Sequence, residues 1–174
     1  MNDDVDQALL RIAAAAVDDP GRASEQLTAW FGTSPNPTGE RRLREAPQAI
    51  PRVLADTMRR GGLDDRSGAF WAPDFTEPGI PEEVQVIIRA TARHLNGDPA
   101  VGDDLVRAHL AVHGLPGGWN LTVAGLELLR AEIAEQREDG HPAPPVSGAR
   151  HDQQKHSSIM PGRDEGPRRG GAPR

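Results

Sequence analysis

The segment PEEVQVIIRATARHL, residues 81–95, is the most apolar well-bounded stretch of the chain, and it constrains the fold before anything else does. Val84, Ile87, Ile88, Thr91 and Leu95 recur at i, i+3, i+4, i+7 and i+11, which puts them on one stripe of an α-helix. Pro81 suits the first turn, where its missing N–H has no intrahelical bond to lose. Glu82 and Glu83 stand at the positive end of the helix dipole. Asn96-Gly97 then supplies a left-handed stop. Val86 lies off this stripe, beside Arg93. A second apolar face is therefore expected there, against a neighbouring helix or a second subunit of a homodimer.

The same punctuation divides the rest. Residues 4–17 predict a helix with Val5, Leu9, Ile12 and Ala16 on one side, favoured by the alanine run. Asp19-Pro20 reopens the chain, Asp as N-cap and Pro at the first position, for a helix to Phe31 that turns Ala23, Leu27, Trp30 and Phe31 inward. Gly32 ends it. Residues 33–39, TSPNPTG, read as a linker, and 40–45 as one or two helical turns before Pro47. A strong helix follows from Gln48 to Arg60, with Ile50, Val53, Leu54, Thr57 and Met58 on its stripe and Gly61-Gly62 as its end. Residues 63–79 are irregular, with a short extended piece at 69–71. Asp98-Pro99 opens another helix to Gly114. A turn spans 114–120, and a last helix runs from Leu121 or Val123 to about Glu138, at the edge of the bundle, with Leu126, Leu129 and Ile133 as its narrow stripe.

Composition supports helices over sheets. Aromatics are 3% of the 174 residues and tyrosine is absent, so the core is built from Leu, Ile, Val and Ala. Without cysteine there is no disulfide framework and no thiolate metal site. No run approaches the about 20 apolar residues that cross a bilayer. The acidic start MNDDVDQALL is unlike a signal peptide, so no membrane association and a cytoplasmic location are expected. Lys155 is the sole lysine, the usage of a GC-rich bacterial coding sequence, which weakens arguments from arginine counts.

From Gly140 onward Pro, Gly, Ser and charge replace apolar residues, and ordering entropy would go unrepaid. The expected architecture is an all-α compact bundle of about five or six helices over residues 1–139, followed by a disordered tail over 140–174. Six basic residues face three acidic ones in that tail, a net +3, which leaves residues 1–139 at −9 against −6 for the whole chain. An acidic body disfavours nucleic acid, because phosphate neutralisation supplies most of such affinity.

Four groups of residues are candidates for function. His109 and His113 stand at i, i+4 on one helix face, the spacing by which a helix offers two imidazoles to zinc. The metalloprotease pattern fails because Leu110 stands where a general-base glutamate would, and the sequence dictates no third ligand. His94, Asp103 and Asp104 are the options. The plain alternative is a pair of hydrogen-bonded histidines at a helix contact. Phe70, Trp71 and Phe75 form either a plug over one end of the core or an aromatic patch for a partner. Arg41, Arg42, Arg44, Arg52, Arg59 and Arg60 make 41–60 the basic region of the body, as a solvated face with local ion pairs or as a phosphate contact. Val86 is the fourth candidate.

Leu121 to Leu129, LTVAGLELL, resembles the LTxxG segment after the wing of winged-helix regulators of the multiple-antibiotic-resistance and phenolic-acid-repressor types. That resemblance implies a DNA-associated regulator. Those families place a β-wing before the motif, whereas only residues 115–119 are available here, and Thr122 as a helix N-cap accounts for the pattern locally. No phosphate loop, nucleophile elbow or cofactor motif is present, so no cofactor is expected. The leading expectation is a non-enzymatic interaction or accessory protein with a protein partner. A DNA-associated regulator and a metal-dependent enzyme using the histidine pair are the alternatives.

Overall fold

A computed structural model of the chain describes residues 3–32, 36–63, 71 and 79–140. Among them are five helices, α1 (Asp3–Asp18), α2 (Pro20–Phe31), α3 (Pro37–Arg60), α4 (Glu82–Leu95) and α5 (Pro99–Glu138). No strand occurs among the described residues. The fold is all-α. No helix among those residues is long and apolar enough to cross a membrane. The expected tail lies outside the described residues from 141 onward.

Local chemistry sets most boundaries. Asp19 is extended (φ −155, ψ 100), and its side chain accepts from the N–H groups of Gly21 and Arg22, with Pro20 opening α2. Asp98 precedes Pro99 in the same order but makes no side-chain cap. Asn36 serves two ends at once. Its Oδ1 accepts from Gly39 N at 2.7 Å to start α3, and its Nδ2 donates to Phe31 O at 3.3 Å at the end of α2.

α3 corrects the expected break at Pro47. It runs unbroken from Pro37 to Arg60 with Pro47 and Pro51 both buried inside it. An interior proline forfeits one helical hydrogen bond, and tertiary packing offsets that loss here. Pro47 offers no N–H to the carbonyl of Leu43, one turn earlier. Gly118 of α5 lies so close to that carbonyl that a Cβ built on it would collide with the oxygen. A Cβ on Gly125 would likewise overlap Ile50. Two glycines seven positions apart thus bring α5 directly onto α3.

α5 is the hub, packing on α1, α3 and α4. It also corrects two expectations. Residues 115–120 are helical, not a turn, and the second half is central, not peripheral: Leu121, Leu126, Leu129 and Ile133 are all buried. The helix is broken only at Gly114, whose φ 60 and ψ −147 are non-helical. Thr122 does not cap; it is fully buried, and its hydroxyl donates to Gly118 O at 2.7 Å.

The core joins Leu9 and Ile12 of α1, Ile50 and Val53 of α3, and Ile87 of α4 to the α5 leucines. Burying each large aliphatic side chain contributes about 1.5–3 kcal/mol. α4 is rotated from its expected setting. Ile87, Ala90, Thr91 and His94 are buried, whereas Val84, Ile88 and Leu95 are half-buried. The cause is Gly102 of α5, which packs against the Ala90 carbonyl and the His94 ring, so α4 turns its small-residue edge toward α5.

Candidate functional site

Two places on this frame carry side chains that the core does not use. The first is a groove of about 550 Å³ between α1, α2 and the second half of α5. Ala13, Ala16 and Ala23 are among its lining residues, with Leu27, Trp119 and Val123. Trp119 is 40% exposed and Val123 37%, one turn apart on α5. Packing from behind fixes the Trp119 ring. It lies 5.4 Å from Phe31, which in turn lies 4.9 Å from Trp30. Arg42 stands 5.2 Å over the Trp30 ring and donates to the Trp30 carbonyl. At the rim Glu127 and Arg130 pair at 2.9 Å.

The second place lies where α4 begins. His109 Nδ1 is 3.6 Å and His113 Nε2 is 4.0 Å from the same oxygen of Glu82. The two rings are 4.3 Å apart. His109 is buried, and Glu82 and His113 are exposed. Beside them Asn120 donates to Glu83 at 3.2 Å. The Glu83 carboxyl is held below the ordinary glutamate range, chiefly by a hydrogen bond from its own backbone N–H at the helix start, with Asn120 and the two histidines acting in the same direction against burial.

The expected third ligands lie elsewhere. His94 Nε2 is 3.1 Å from Asp103 Oδ1, and Asp104 pairs with Arg107. Glu82 takes that place instead. The sequence signalled it only as a dipole residue, because the contact depends on how α4 crosses α5.

The other candidates scatter. Phe70 and Phe75 lie outside the described residues. Trp71 is half-buried, and Asn96 clasps its backbone, accepting from Trp71 N at 2.9 Å and donating to Trp71 O at 2.8 Å. Val86 is half-buried and packs against the core. Most of the arginines are engaged in separate contacts. Arg41 lies 3.8 Å from Glu45, and Arg42 is engaged with Trp30. Arg59 donates to His94 O at 2.8 Å and pairs with Asp56. Arg60 donates to the backbone of Asp56, and Arg44 is exposed. Arg52 forms a two-pronged pair with Asp6, both bonds at 2.7 Å, and that hydrogen bonding raises its pKa above the usual arginine value. This pair lines a polar cleft of about 720 Å³ together with Arg59, His94 and Asp103.

Trp119 and Val123 were not among the sequence candidates. Reading 114–120 as a turn separated Trp119 from the helix that presents it. Their i, i+4 spacing was the available signal.

No protein family, curated protein or solved structure matches this chain. A functional reading therefore rests on geometry and chemistry alone.

Proposed function

We propose that this protein is a non-enzymatic helical interaction protein that takes one basic, amphipathic helix of a partner polypeptide into the groove between α1, α2 and α5. The observation that carries this reading is the exposed Trp119–Val123 pair above a floor of alanines. Small floor residues admit the knobs of an incoming helix. A tryptophan held by Phe31 provides a rigid anchor with little ordering entropy to lose. The α5 residues along the groove, 119 to 130, extend about 18 Å at 1.5 Å per residue, the length of about three helical turns. The net charge of −9 over residues 1–139 favours a basic outer face on the partner and speeds its encounter.

The test uses the full chain and a synthetic three-turn peptide with leucines on one face and lysines on the other. Methyl chemical shifts should move at Ala13, Ala16 and Val123, and Val123→Glu should abolish those changes without altering the helical circular dichroism. Shifts elsewhere, or none, would remove the groove as a docking site. A wild-type dimer that Val123→Glu makes monomeric would identify a second copy as the occupant and overturn the partner assignment. So would peptide binding that appears only after residues 140–174 are deleted, since the chain's own tail would then hold the groove.

A further inference from the structure

We infer that Glu82, His109 and His113 form a binding site for a first-row divalent cation of the zinc type. The site shares no residue with the groove. One ligand atom from each of the three lies within 4.8 Å of the others. A tetrahedral zinc ion with bonds of about 2.0–2.1 Å sets its ligand atoms about 3.3 Å apart. His109 Nδ1 and Glu82 Oε1, at 3.6 Å, are already near that separation, and His113 Nε2 stands at 4.0 Å from the same oxygen. Completing the triangle takes small rotations of Glu82 and His113, both exposed, about a fixed His109.

Two features separate this cluster from a chance surface group. His109 has only 5% of its side chain exposed, so packing has already fixed one imidazole and removed much of the entropy cost of assembling the site. Gly117 lies against both histidines. A Cβ built there would collide with Cβ of His113 and lie 3.5 Å from Cδ2 and Nε2 of His109. The missing side chain leaves room for His113, whose i, i+4 spacing from His109 puts both rings on one helix face.

The donor set decides the metal class. Two imidazoles and one carboxylate suit zinc and cobalt, whereas magnesium and calcium take oxygen ligands. Three protein ligands leave a fourth position for water or for a group brought by another molecule.

Chelator-treated full-length protein titrated with Co²⁺ should develop a visible ligand-field band that saturates at one ion per chain, and Zn²⁺ should displace it. His113→Gln and Glu82→Gln alter exposed side chains, so both variants should keep the wild-type circular dichroism. Each alters a direct ligand and should weaken Co²⁺ binding by at least the about tenfold that loss of an outer-shell partner alone costs. A full chain with His141, His151 and His156 all changed to Gln should bind as wild type does. No band, unchanged affinity in His113→Gln, or loss of binding in the tail variant would overturn the site; the first outcome leaves the cluster a polar contact between α4 and α5. The groove is tested separately by Val123→Glu, so either idea can fail while the other stands.

Discussion

Gly118 and Gly125 face the same helix, yet a methyl group added at each meets a different obstacle. At 118 the obstacle is the Leu43 carbonyl, fixed in the α3 backbone; at 125 it is the body of the Ile50 side chain, its Cγ2 branch first and Cδ1 next. Alanine raises helix propensity at either site by about 1 kcal/mol, so the difference between the variants isolates the clash. Gly118→Ala is expected to destabilise by about 1–3 kcal/mol, the usual cost of overpacking. Gly125→Ala should cost somewhat less, because a side chain can tilt where a backbone carbonyl cannot, even though Ile50 is buried and β-branched and so held to one favoured χ1 in its helix. Urea unfolding midpoints rank the two directly. Equal effects would mean that α3 shifts as easily as a side chain turns.

At the scale of elements, Gly114 decides the course of α5. Its φ 60 and ψ −147 belong to a region that residues with a Cβ scarcely enter. Gly114→Ala should therefore cost about 1–3 kcal/mol, read as a lowered midpoint of thermal unfolding. His113 is the preceding residue, so Co²⁺ binding should weaken in the same variant. The sequence carried the helix ends well, because Asp19-Pro20, Gly32, Gly61-Gly62 and Asn96-Gly97 act through their own backbone chemistry. It also carried the inward faces of α1 and α3. It missed what neighbours decide. α3 continues through Pro47 because α5 packs there, and α4 turns its Ala90–His94 side inward because Gly102 allows close approach. The same limit separates the two functional candidates. The histidine pair was legible as i, i+4 spacing, but Glu82 belongs to a different helix, and no local pattern joins them.

For the whole molecule, the charge of −9 over residues 1–139 opposes association with duplex DNA. Fluorescence anisotropy with a labelled duplex at low salt should detect no binding; an affinity that falls steeply with added salt would restore the regulator reading. Another molecular property follows from where the helices find their last partners. The Trp30 carbonyl near the end of α2 accepts from Arg42 of α3, Thr57 O of α3 from Gln136 of α5, and His94 O of α4 from Arg59 of α3. These bonds span 12, 79 and 35 residues. A side chain that must cross from another helix closes its bond only after the chain has been brought together, so the bonds with the two long spans are expected to close after the folding barrier is crossed. Arg59→Gln and Gln136→Ala should accelerate unfolding about fivefold for each kcal/mol lost and leave the refolding rate nearly unchanged. Stopped-flow chevrons would show this as movement of one arm. The lifetime of the native state would then be set by a few crossing side chains, and the speed of reaching it by the apolar faces alone.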